Sequence, residues 1–391
     1  MSGTIEDMTA RVRSGQARVR ARVRARVRAR VRARSGQARW GALAGGLVLA
    51  ACATADRPRL VPAAPAPYRV TMAVPLPTPL ARPAPAGLAE SVAALGRLFA
   101  GRVGIAVNSV GDRWSVQSNG DLRLPQQSVS KLWVAMTVLD YRDQGRLRLD
   151  DPITVTRDDL TLFHQPIAFL AAKDGGYHTT VGDLLTRALT MSDNTANDRL
   201  LHYVGGPAAV RDLIRRKGFG NIRFGPGERL LQAGTAGLEW KPEYALGNAF
   251  AVARSRLSPA TRLAAFDQYV ADPPDGAAPA AIAAALAQLK AGKVLSPVST
   301  DYLIGTMEAA RTGKMRIHGA VPPGWSFGHK TGTGQDLGTR TAGYNDVGIL
   351  TAPDGRSYAI AILIGDTARP IRERQELMHS VVGLVVASHG G

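Results

Sequence analysis

Gln127-Ser128-Val129-Ser130-Lys131-Leu132-Trp133-Val134-Ala135-Met136 follows Pro125 and passes at once into an apolar run that continues to Leu139. The spacing predicts a helix starting near Ser128. A serine at that position lies beside unpaired backbone N–H groups and the positive end of the helix dipole, both suited to a developing oxyanion. Residues at i and i+3 share one helix face, so Lys131 stands next to Ser128. A lysine held partly out of water there loses its proton more readily and can activate the hydroxyl. Taken alone, the pair is a weak signal and reads better as a serine cap and an exposed lysine.

Two further stretches change that balance. Met191-Ser192-Asp193-Asn194-Thr195-Ala196 follows a helix pattern with Leu184, Leu185, Ala188 and Leu189 on one face. His329-Lys330-Thr331-Gly332-Thr333-Gly334 follows the strand-like residues 325–328. In this order the three elements resemble the S-x-x-K, S-D-N and K-T-G set of class A β-lactamases and penicillin-binding proteins. The likeness runs at length through residues 184–197 and 295–332, and covers the chain from about Gly87 to its end.

That resemblance implies a set of roles. Ser128 is the nucleophile that becomes acylated, and Lys131, or Glu228 through a water, takes its proton. Ser192 relays a proton to the leaving nitrogen, and Asn194 holds the amide carbonyl of the substrate. Lys330, Thr331, Gly332 and Thr333 bind a substrate carboxylate, and the backbone N–H groups of Ser128 and Thr333 form the oxyanion hole. Asp193 ties its loop through side-chain to backbone bonds. The implied substrate is a β-lactam or a cell-wall peptide, and the implied working state is a monomer with no cofactor.

Hydrolysis of the acyl-enzyme separates a β-lactamase from a D,D-peptidase or a stably acylated sensor, and it needs an activated water. Class A enzymes carry a glutamate for this in a pattern Arg-x-x-x-x-Glu-x-x-x-Asn. Here Arg223-Phe224-Gly225-Pro226-Gly227-Glu228-Arg229-Leu230-Leu231-Gln232 keeps the spacing, with Glu228 36 positions after Ser192. Gln232 replaces the usual asparagine and Arg229 the usual proline, and the longer amide is expected to shift or displace the water. Trp240-Lys241-Pro242-Glu243-Tyr244 resembles a second family stretch but lies too far along and is set aside. Residues 233–278 form an insertion in which Trp240 and Phe250 are candidates to wall the site. Arg340 is a candidate to assist Lys330.

The expected fold class is α+β: an α/β sandwich layer with an inserted all-helical domain, a mixed, mostly antiparallel sheet, and terminal helices packed on it. The α/β part takes about 87–125 and 312–391, and the helical part about 126–311. Strands are expected at residues 102–108, 113–117, 346–351 and 357–364, and a last helix at about 371–387.

The chain carries a formal charge of +18. Twelve arginines against Glu6 and Asp7 in the first 39 residues supply more than half of it. They alternate with valine and alanine, and Arg-Ser-Gly-Gln-Ala-Arg occurs at both 13–18 and 34–39, which marks low-complexity sequence rather than a nucleic-acid arm. The uncharged run 40–51 has the length of a signal-peptide core and ends on Cys52. Leu49-Ala50-Ala51-Cys52 resembles the lipobox of bacterial lipoproteins, which implies cleavage, a lipid on Cys52 and anchoring on the periplasmic side of a membrane. Residues 1–51 are thus read as leader, and 52–86, with nine prolines after Arg57, as a tether. A single cysteine permits no intrachain disulfide. The seven histidines show no metal-ligand spacing, and no glycine-rich phosphate loop is present, so no metal is expected.

Overall fold

In a computed structural model of the chain, residues 81–390 are described. The leader and most of the tether lie outside these residues. The described part is built on a sheet of five strands, β1 (Arg102–Ser109), β2 (Ser115–Ser118), β5 (Ser326–Thr333), β8 (Tyr344–Thr351) and β9 (Ser357–Asp366). Their order across the sheet is β2-β1-β9-β8-β5, and all four pairings are antiparallel.

The central strand β9 is buried on both faces, and its alternation sorts two cores. Ile360, Ile362 and Ile364 face the terminal helices α1 (Leu88–Leu98) and α12 (Ile371–Ala387). Ala359, Ala361 and Leu363 face α10 (Pro279–Lys290), which presents Ile282, Leu286 and Leu289. The two alanines let that helix approach closely. Continuous apolar strands of this kind are what coverage on both faces requires.

Between β2 and β5 the chain is mainly helical. Its centre is α2 (Lys131–Asp143), buried without a break from Lys131 to Asp140. A helix apolar all round needs neighbours on every side. They are α4 (Val181–Thr190), α5 (Asn194–Tyr203), α6 (Gly206–Arg216) and α11 (Pro297–Glu308). A short hairpin, β3 (Pro152–Val155) with β4 (Tyr177–Thr180), follows α2; the one-turn helix Ala168–Ala171 between them is α3.

Helix α7 (Glu228–Thr235) leads into the insertion, which folds as a 3₁₀ turn at Pro242–Ala245, α8 (Ala249–Ser255) and α9 (Pro259–Ala271). Ser258 caps α9 by accepting from Thr261 N at 3.0 Å, and Pro259 takes a first-turn position whose N–H has no use. The two-residue strands β6 (Asp336–Leu337) and β7 (Arg340–Thr341) pair beyond β5. Three details depart from the sequence reading. β2 starts at Ser115 because Arg113 has φ 61° and belongs to the turn. Ser128 lies in a 3₁₀ turn, Gln127–Ser130, ahead of the α-helix. The Lys330-Thr331-Gly332 run lies inside β5, not after it.

Candidate active site

The segment before Ser128 is pinned from three sides. Asn345 Nδ2 on β8 donates to Pro125 O (2.8 Å) and Gln126 O (3.0 Å). Gln126 donates to Arg223 O (2.9 Å) and accepts from Trp133 Nε1 (2.6 Å). Gln127 holds φ 54°, a conformation that costs a non-glycine residue energy and persists only where its surroundings enforce it.

Lys131 then begins α2, and its ammonium uses all three protons. Nζ donates to Ser128 Oγ (2.7 Å), to Asn194 Oδ1 (2.8 Å) and to the Glu228 carboxylate. The Lys131 side chain is 0 % exposed and Glu228 4 %, so this ion pair is out of water. Buried charges survive only when paired and fully hydrogen-bonded, a condition met here.

Across the cleft stands a second hydroxyl–ammonium pair. Lys330 Nζ on β5 donates to Ser192 Oγ at 2.9 Å and to Thr331 O at 3.0 Å. Burial holds Lys330 well below the ordinary lysine range; Lys131 and Arg316 push the same way, while Glu228 and Asp346 oppose. Ser192 has φ 58°. Asp193 caps α5, accepting from Ala196 N (2.9 Å) and Ile167 N (2.8 Å), and burial raises its carboxyl despite those bonds. Asn194 Nδ2 donates to Leu162 O at 2.8 Å. Thr331 Oγ1 meets Thr312 Oγ1 at 2.9 Å. Gly332 is required by close approach, since a Cβ there would lie 2.3 Å from Gln126 O. His329 is a strand residue bonded to Asp346 at 2.8 Å.

The arginine beside Lys330 and Thr333 is Arg316, not Arg340. Arg316 Nη2 donates to Thr333 Oγ1 (2.6 Å), and Nη1 to Gly332 O (2.8 Å) and Asn345 O (2.6 Å). Its guanidinium lies 3.8 Å from the centre of the Tyr344 ring. Arg340 is instead engaged by Asp366 and Asp267.

Glu228 is the first residue of α7 and is buried rather than a solvent-exposed loop acid. Its N–H donates to both oxygens of Asp198 (3.1 and 3.0 Å). Gln232, one turn on, donates to Glu228 Oε2 (3.3 Å) and Gln127 Oε1 (3.0 Å), while Gln335 Nε2 donates to Gln232 O (2.8 Å) and Oε1 (3.0 Å). The longer amide is thus folded against Glu228 and clamped by two more glutamines. Arg229 donates to Leu160 O at 3.0 Å and ties the loop there.

The insertion reaches this network through α9. Gln127 Nε2 donates to Tyr269 OH (2.7 Å), Tyr269 OH to Asp275 Oδ1 (3.0 Å), and Gln127 N to Asp275 Oδ2 (2.7 Å). Burial raises both Asp198 and Asp275 to about 6. Of the two aromatic candidates, Phe250 packs edge-on against Phe163 of the cleft lip, ring centres 5.3 Å apart. Trp240 packs on Tyr244 and under Arg229, lining a separate hollow. The cleft itself has a volume of about 540 Å³.

Sequence reasoning did not find Arg316, Asn345, Asp198, Tyr269 or Gln335. Asp198 carried a signal, because it is four residues after Asn194 and shares its helix face. Asn345 and Asp346 also stand out as a polar pair in an apolar strand.

Residues 87–387 match the sequence profile described as "Beta-lactamase enzyme family". The extended-spectrum beta-lactamase PER-1 of Pseudomonas aeruginosa is 29 % identical over 279 residues, covering 71 % of this chain and 80 % of the relative. A solved beta-lactamase from Chitinophaga pinensis is similar at 28 % identity with TM-score 0.62, over 78 % of this chain and 99 % of its own. An ancestral class A beta-lactamase is similar at 31 % identity with TM-score 0.60, over 77 % and 99 %.

Proposed function

The chain belongs to the beta-lactamase enzyme family, and we propose that it works as a class A-type serine β-lactamase through Ser128. The observation that carries the reading is the buried Glu228, bonded at once to the Lys131 that touches Ser128 and to Gln232. A carboxylate so placed serves both halves of the reaction.

In acylation, transfer of one proton from Lys131 to Glu228 leaves a neutral amine 2.7 Å from Ser128 Oγ. The amine takes the hydroxyl proton as Oγ attacks the lactam carbonyl, and the N–H groups of Ser128 and Thr333 hold the oxyanion. Collapse breaks the C–N bond. The ring nitrogen receives its proton from Ser192, which is resupplied from Lys330 at 2.9 Å. Lys330, Thr331 and Thr333, with Arg316 behind them, hold the substrate carboxylate, and Asn194 holds the side-chain amide. Before deacylation Glu228 gives up the proton it took from Lys131 and Lys330 regains the one passed on through Ser192, which leaves the total unchanged. Ionised Glu228 then takes a proton from water, the water oxygen attacks the ester, and Ser128 leaves with a proton from Lys131, which Glu228 resupplies.

The leader and Cys52 support export and lipid anchoring at the periplasmic side, with residues 52–86 as a tether, and the family resemblance implies a monomer. Among the described residues no helix is long and apolar enough to cross a membrane.

The test is loss of lactam absorbance with benzylpenicillin. The purified protein is expected to turn over many equivalents, and Ser128→Ala to fall to the background rate. One equivalent consumed, leaving a stable adduct, would contradict hydrolysis. Release of D-alanine from a cell-wall peptide would then point to a D,D-peptidase.

A further inference from the structure

Helix α8, part of the insertion, turns one face to the cleft. Phe250 and Arg254 are four residues apart on that face. Phe250 supports Phe163, whose exposed ring stands at the lip on a backbone with φ 60°. Arg254 lines the cleft, and its Nη2 donates to the backbone carbonyl of Asp336 at 2.7 Å, a neutral partner.

The acid that acts on Arg254 is Asp336, which lines the same cleft, and other acids of the insertion and of β9 are engaged elsewhere. Asp267 and Asp366 hold Arg340, Asp272 holds Arg223, and the Asp336 carboxylate accepts from Thr341. Asp336 still lends Arg254 some opposite charge, but Arg262 on α9 adds like charge, and burial together with Arg262 lowers the Arg254 guanidinium from its ordinary value. Nε of Arg262 is itself buried without a hydrogen-bond partner among the described residues. A cation in a cleft wall whose hydrogen-bond partner among the described residues is a carbonyl is set to receive an anion.

The anion is not the carboxylate held by Lys330. Asp336 lies three residues beyond Thr333, up to about 10 Å along an extended chain, so Arg254 addresses another part of the substrate. The cleft that Arg254 lines is also lined by Ser128 and by Asn194, assigned above to the side-chain amide, so a lactam seated on Ser128 has its acylamino group in the same hollow. The geometry points to Arg254 as a specificity-determining residue that binds an acid group on the acylamino side chain, giving preference to lactams with a second negative charge. This rests on the β-lactamase reading above.

One scaffold tests it: benzylpenicillin, its α-carboxy derivative and its α-amino derivative, whose side chains carry no charge, a negative and a positive charge. In Arg254→Ala the kcat/KM of the α-carboxy compound relative to benzylpenicillin is expected to fall roughly threefold to tenfold, the range of a partly exposed ion pair. The ratio for the α-amino compound should rise, Arg254→Lys should restore most of the preference, and added salt should weaken it in the unaltered enzyme. Equal changes for all three substrates would overturn the proposal, because a merely structural arginine would affect them alike. If the unaltered protein hydrolyses none of them, the lactamase reading fails instead.

Discussion

Asp198→Asn should make the protein more stable at neutral pH. Asp198 is fully buried, accepts from the Glu228 N–H with both oxygens, and is raised to about 6 from 3.8 by burial first and by the Glu228 charge second, with Lys131 and Arg229 opposing. Between about pH 4 and 6 the native carboxyl keeps a proton that the unfolded chain has released. Unfolding free energy from this group therefore falls as pH rises through that window and stays low above it. A carboxyl displaced this far costs the ionised native state about 3 kcal/mol at most. Asparagine removes the charge and keeps an oxygen for the Glu228 N–H and for Asn197 Nδ2, which donates to Asp198 Oδ1 at 3.4 Å. Urea unfolding of both proteins at a series of pH values gives the difference curve, in which the slopes from Asp275 and other shared groups cancel. The expected curve is a constant offset plus a rise of up to about 3 kcal/mol from pH 4 to pH 7. A flat or falling curve would refute the reasoning.

Glu228→Gln keeps a hydrogen-bond acceptor for Lys131 but takes neither the Lys131 proton nor a proton from the water, so both half-reactions slow. Lys131 can still lose its proton to solvent whereas the water has no other base, so steady-state turnover of benzylpenicillin should drop about a hundredfold to ten-thousandfold while acyl-enzyme builds up, and unchanged turnover would remove Glu228 from the mechanism. Tyr269→Phe leaves Asp275 Oδ1 without its donor and Gln127 Nε2 with only Ala342 O at 3.2 Å. Stability should fall by about 1–3 kcal/mol in denaturant unfolding, and stopped-flow kinetics should show deacylation slowed more than acylation, because the brace ends on Gln232 and Glu228.

The proposed site residues are largely legible in the sequence. Ser128, Lys131, Ser192, Asn194, Lys330 and Thr333 occur in three short motifs whose order carries the family resemblance, and the structure gathers them around one cleft. Glu228 is legible by its distance from Ser192, but its burial is not, since that depends on Asp198 and Lys131 closing around it. Arg316 stays hidden because its reach depends on how the loop after α11 folds back along β5. Arg340 misleads for the converse reason: two acids distant in sequence, Asp267 and Asp366, claim it. The insertion is visible as extra length, while its tie to the nucleophile through Tyr269 and Gln127 is a contact over 142 positions that no local pattern records.

In the proposed reaction one hydroxyl, that of Ser128, carries the substrate between two half-reactions. Rapid acid quench of the unaltered protein with benzylpenicillin, followed by peptide mapping, addresses it directly. A transient penicilloyl group is expected on the peptide containing Ser128, gone once substrate is exhausted and absent from Ser128→Ala. Hydrolysis without that adduct, or an adduct on another residue, would contradict it.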